Sequence, residues 1–162
     1  MTTSDRVRLP LGYPPAFQRI ELIRSARAEA LGIPNIPTAQ HEANLRALAW
    51  MILWPLREAM GGPIRVTSGY RSAAINRKIK GASATSQHML GQAADLVRGG
   101  TFTNATMFHY IRQYLPFDQL IWEYGSQQDP AWVHVSYRPN PRGRILMTTG
   151  TPDKPSYAPW RG

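Results

Sequence analysis

Apolar residues recur at helical spacing in the first third of the chain and alternate at strand spacing in much of the rest. Over Phe17–Leu31, the positions Ile20, Ile23, Arg27 and Leu31 follow one helical stripe, which predicts an amphipathic helix stopped by Gly32. The following Ile-Pro-Asn-Ile-Pro (33–37) reads as an extended connection. Thr38 is placed to cap a long Ala- and Leu-rich helix over Ala39–Met60. Pro55 would bend that helix or mark a junction between two helical pieces, and Gly61-Gly62-Pro63 ends it.

The period then changes. Ile64–Ser68 alternates as a half-buried strand does, and Ala93–Val97 reads as a buried strand. Between them, Ser72–Lys80 predicts a short helix and Gly81–Gln87 a loop of small residues. Asn104–Tyr114 is a further helix, ended by Pro116. Asp118–Tyr124 and Trp132–Tyr137 are strands joined by the turn-rich GSQQDPA, a β-hairpin pattern. Residues 1–15, with three prolines, read as a loosely ordered arm, and residues 146–162 as a basic tail containing Pro and Gly. Helices first and antiparallel strands later predict one α+β domain over residues 16–145, a central antiparallel sheet with helices packed on one side.

Composition narrows the function classes. The chain has 162 residues, enough for one domain, and 43% are hydrophobic, enough for a core. The longest apolar region, Leu48–Leu56, is too short for a membrane span. The N-terminus lacks the continuous apolar segment and small-residue cleavage site of a secretory leader, so no signal peptide is expected. The absence of cysteine excludes disulfides, thiolate catalysis and Cys-type zinc sites. A metal must then be held by carboxylates and by the four histidines, His41, His88, His109 and His134. Nineteen Lys and Arg against ten Asp and Glu give a net charge of +9, which suits polyanionic surroundings such as nucleic acid or an anionic cell wall. The basic residues are scattered, with no long run and no basic-aromatic repeat, so nucleic-acid binding is not expected.

One combination of scarce residues carries chemistry. His88 and Asp95, in the segment SQHMLGQAAD (Ser86–Asp95), can converge if Gly91 lets the chain fold back, and His134 can join them from the hairpin. Two imidazoles and a carboxylate are a ligand set for catalytic zinc, which leaves a fourth position for a water made acidic near neutral pH. The same spacing also describes a hydrogen-bonded structural His–Asp pair, and His134 alternates with Val133 and Val135 as a half-buried strand histidine would. His41 and His109 read as helix-surface residues, and Trp132 as a cleft wall.

The phrases SGYRS (Ser68–Ser72), SQHMLGQAAD, PFDQLIWE (Pro116–Glu123) and WVHVSY (Trp132–Tyr137), in this order, resemble the zinc D-alanyl-D-alanine carboxypeptidase family with its hedgehog/DD-peptidase fold. The similarity covers roughly Phe17 to Arg144 and is nearest to the branch common in phages and prophages. It implies one zinc ion held by His88, Asp95 and His134, and hydrolysis of peptidoglycan stem peptides by a zinc-bound water, as a carboxypeptidase or an L-Ala-D-Glu-type endopeptidase. Arg71 matches the family arginine that contacts substrate, a role its bidentate guanidinium suits. Tyr70, Ser86, Gln87 and Trp132 are candidate substrate neighbours, with packing or turn formation as the alternative for Tyr70, Ser86 and Gln87. Many relatives carry a glutamate three residues before the last histidine, where this chain has Ala131. Glu123 is therefore the favoured general base and Asp129 the second choice. Glu123 shares a face with His134 only if paired residue numbers in the hairpin sum to an odd value.

With a stem peptide as partner and no span, a monomer is expected. Without a leader it would act from the host cytoplasm after release to the wall, or as part of a virion. A non-catalytic zinc or wall-binding module and a structural virion protein are the competing readings.

Overall fold

In the computed structural model, which describes residues 9–162, strands β1 (Ile64–Ser68), β2 (Ala93–Arg98), β3 (Gln119–Glu123), β4 (Trp132–Ser136), β5 (Arg144–Thr148) and β6 (Tyr157–Pro159) form one sheet. Their order is β1–β2–β4–β3–β5–β6. All neighbours are antiparallel except β3 and β5, so the expected antiparallel sheet carries one parallel joint.

Strand alternation divides the sheet into two faces. Ala94, Leu96, Leu120, Trp122, Val133 and Val135 are buried on one face. They pack there with Leu45 and Leu48 of helix α3 (Ala39–Leu48) and with Met107, Phe108 and Ile111 of helix α6 (Asn104–Tyr114). Each of the larger side chains among these contributes about 1.5–3 kcal/mol by leaving water. The intervening residues, among them Asp95, Ile121, Glu123, Trp132 and His134, line a cleft of about 520 Å³ on the other face. The helices hold the sheet from behind and leave this face open.

Two helical expectations change in detail. The helix expected over Phe17–Leu31 is two helices, α1 (Arg19–Ile23) and α2 (Ala26–Leu31), separated by an extended Arg24. Ser25 favours the break because its hydroxyl caps α2, accepting from the Ala28 N–H at 3.2 Å. The core contacts then come from Leu22 and Ile23, while Ile20 and Leu31 are exposed. The second helix continues from α3 through a π-helical turn, Ala49–Leu53, into α4 (Trp54–Met60). Pro55 has no N–H and its ring crowds the carbonyl four residues back, a conflict that the wider turn just before it relieves. The short helix expected over Ser72–Lys80 is reduced to α5 (Ala73–Asn76), capped by the Ser72 hydroxyl.

The larger correction concerns the ends. The boundary expected between residues 145 and 146 falls inside β5, and the supposed tail supplies the rest of β5 and all of β6. Ile145 and Met147 pack on the core, and Trp160 lies against Phe108 with ring centroids 5.2 Å apart. Residues 1–8 of the expected arm lie outside the described residues. Further along it, the Gly12 carbonyl accepts from the Trp50 indole at 2.8 Å, and the Tyr13 hydroxyl donates to Glu42 at 2.9 Å.

Asp118, fully buried just before β3, fastens the tail in place. It accepts from the Arg142 backbone and guanidinium at 2.6–3.0 Å and from Gln87 at 3.0 Å, and pairs with Arg138. Burial opposes its charge, but the bonds from Arg142 and Gln87 outweigh burial and lower the carboxyl to about 2. Because that value lies below the ordinary 3.8, the associated stability is present above about pH 4 and is lost as pH falls toward 2. Asp118→Asn is expected to lower Tm at pH 7 and to flatten its decline between pH 4 and 2. Thermal melts across that range check this, and an unaltered slope would count against it.

Candidate active site

The loop before β2 presents His88 through local backbone chemistry. Ser86 caps a 3-10 turn, Gln87–Leu90, its hydroxyl accepting from the His88 N–H at 3.3 Å. Gly91 ends the turn in the left-handed region at φ +69°, where a Cβ would also stand 2.5 Å from the His41 carbonyl oxygen. The chain thus reverses into β2, and Asp95 arrives directly opposite His134 of β4. Asp95 Oδ1 stands 3.0 Å from His134 Nδ1 and 3.4 Å from His88 Nε2. One ligand atom from each residue lies within 4.8 Å of the others.

The tautomer of His88 follows from its neighbour. Its Nδ1 is 2.8 Å from the Gly69 carbonyl, which can only accept, so Nδ1 carries the proton and Nε2 turns a lone pair toward Asp95. Burial raises the cost of charge on Asp95, but whenever His88 is protonated at Nε2 as well, its charge and the hydrogen bonds from His134 and His88 override burial and hold the carboxyl well below the usual range. Two imidazole nitrogens and an ionised carboxylate oxygen aimed at one point are a donor set that fits zinc. Gly69 is fixed by a close approach, since a Cβ there would collide with the Leu22 carbonyl, to which the Tyr70 N–H is bonded at 2.7 Å. Gly69→Ala is therefore expected to move the carbonyl that orients His88 and to weaken any zinc affinity of the His–Asp–His group by about 10- to 100-fold. Competition with a chelating indicator measures it, and an unchanged affinity would remove the orienting role.

Glu123 lies on the same face. The register pairs Ile121 with His134 and Glu123 with Trp132, numbers that sum to 255, the odd case, so Glu123 points into the cleft beside the His–Asp–His group. It is 5% exposed, and its carboxylate accepts a short hydrogen bond from the Thr148 hydroxyl. Burial, only partly offset by Thr148 and His134, raises its pKa above the ordinary carboxylate value. Arg71 reaches the cleft from the segment after β1 and donates to the Ser86 hydroxyl at 3.3 Å, while its Nε is buried without a partner among the described residues.

A model of the family described as Peptidase M15 matches residues 15–136, three quarters of the chain. The chain belongs to the Peptidase M15 family. Comparison with curated proteins returns no match. Membership makes this chain a peptidase, and the matched span ends at Ser136, so β5 and β6 lie beyond it.

Within this M15 peptidase the cleft gathers His88, Asp95, His134, Glu123, Arg71, Ser86, Gln87 and Trp132. Tyr70 does not belong there. It is buried behind the cleft with its ring 5.1 Å from that of His41, the packing alternative. Gln87 lines the wall but spends its amide on Asp118. Asp129 is also elsewhere: its carboxylate accepts from the Ala105 N–H at 2.6 Å in the first turn of α6, where a negative charge suits the helix terminus. Ala131 passes its N–H to the Glu123 carbonyl and closes the hairpin. Thr148, which bonds Glu123, and Tyr157, which lines the cleft, were not indicated by sequence motifs, because both are brought to the site only through the pairing of β5 and β6. The one signal available was the apolar run Ile145–Met147 followed by a second short apolar stretch, Tyr157–Trp160.

Proposed function

We propose that this M15 peptidase holds one zinc ion with His88, Asp95 and His134 and hydrolyses peptidoglycan stem peptides. The observation that carries the reading is the convergence of these three donors within 4.8 Å beside a buried glutamate in an open cleft. Zinc at that point supplies Lewis acidity, making a water acidic near neutral pH and polarising a carbonyl. Glu123 takes the proton from the attacking water and hands it to the nitrogen of the leaving amine. A C–O bond forms and the C–N bond breaks, so the products are a carboxylic acid and an amine. Arg71 donates to the substrate from the wall of the cleft, steadying a carboxylate or a carbonyl gaining negative charge. Trp132 forms an apolar wall beside the scissile bond, and the net charge of +9 favours approach to an anionic wall.

Metal analysis of the purified chain, followed by digestion of defined stem peptides with mass analysis of products, tests the reading. One zinc per chain and a new amine terminus are expected. Release of terminal D-Ala identifies a carboxypeptidase, and cleavage between L-Ala and D-Glu an endopeptidase. A zinc-loaded chain that binds peptidoglycan without releasing either product would instead be a wall-binding module, and one that takes up no zinc would overturn the proposal.

A further inference from the structure

The strands beyond the matched span build one wall of the cleft. β5 runs parallel to β3 with Trp122 opposite Met147, which brings Glu123 and Thr148 side by side, and β6 places Tyr157 opposite Thr148. Trp132, Glu123, Thr148 and Tyr157 therefore form one row across four strands on the open face, next to the row that holds Asp95 and His134. Tyr157 lines the same cleft as the His–Asp–His group, near enough to Glu123, Asp95 and Arg71 to feel their charges.

A tyrosine held for packing alone buries its ring and satisfies its hydroxyl. Tyr157 is only half-buried: it is 48% exposed, and it lines the cleft. It stands on a three-residue strand anchored by Trp160, so the donor is presented by ordered backbone. We propose that Tyr157 is a further catalytic residue, its phenol donating a hydrogen bond to the substrate carbonyl oxygen as negative charge grows there. This rests on the peptidase reading of the cleft above. Burial, reinforced by the charge of Glu123, pushes the phenol up to about 12, so it keeps its proton at any working pH. Arg71 then supplies charge and Tyr157 a neutral donor to the same reacting group.

Tyr157→Phe in the zinc-loaded full chain tests this with a stem peptide as substrate. Removing an oxyanion donor typically costs 10²–10³-fold in kcat, and a half-exposed phenol is expected to cost about 10- to 100-fold. Zinc stoichiometry and Tm should be unchanged. Calorimetric binding of the same peptide to Glu123→Gln and to Glu123→Gln/Tyr157→Phe should agree within about twofold, since the contact strengthens only in the transition state. A Tyr157→Phe enzyme with kcat within about twofold of the parent overturns the proposal, as does a loss that follows zinc content, Tm or ground-state binding. If the zinc-loaded parent itself cleaves no stem peptide, the peptidase reading fails first and this role with it; an active parent with an unaffected Tyr157→Phe variant rejects the tyrosine alone.

Discussion

Glu123→Gln is expected to lower kcat for peptide hydrolysis by about 10²- to 10⁴-fold while leaving zinc content and Tm close to those of the parent. The amide keeps the shape and can still accept from the Thr148 hydroxyl, but it cannot take a proton from water. The expectation rests on place and environment together. The β3–β4 register sets the carboxylate on the face that carries His134, and burial raises its proton affinity toward the range useful to a general base near neutral pH. Asp129→Asn is the matched control. Its carboxylate is spent on the first turn of α6, so it should cost stability and change kcat little. Steady-state kinetics with metal analysis of both variants check the assignment. A Glu123→Gln enzyme with near-parental kcat would hand the proton to another group.

Asp95→Ala is expected to abolish hydrolysis through loss of the metal. Asp95 Oδ1 is the atom both histidines approach, and it brings the only negative charge of the three donors. Without it two neutral imidazoles remain, and zinc affinity should fall by more than about 100-fold, beyond the 10- to 100-fold typical of groups that merely orient a ligand. Binding to the folded state alone stabilises it by about 2.7 kcal/mol at a zinc concentration 100 times Kd. The parent should therefore melt higher with added zinc, and Asp95→Ala should show no such rise. A variant that retains one zinc per chain would remove Asp95 from the ligand set.

The parts legible in the sequence are those governed by local pattern. In Trp132–Ser136 the alternation of valines with His134 fixes which side chains face the core, and Gly91 marks the reversal that joins His88 to Asp95. The break at Arg24–Ser25 was hidden because Ser25 sits inside an otherwise helical stripe, and its capping bond competes with the helix only locally. β5 and β6 were hidden for a different reason. Arg144–Thr148 becomes a strand by parallel pairing with β3, more than twenty residues earlier, and such non-local pairing leaves little periodic trace. The metal set stood out because histidine is scarce in this chain, whereas Thr148 and Tyr157 carry no motif and acquire meaning only from the row they complete.

The two-faced sheet has a consequence for how this protein can change over generations. Along β4, substitutions at Val133 and Val135 strike the packed side, while those at Trp132 strike the open side and leave the core untouched. Tolerance should follow a two-residue rhythm, with folding and chemistry selected at alternate positions of a single strand. New substrate preferences can accordingly arise by single changes on the open face, at Trp132 or Leu146, without first gaining spare stability.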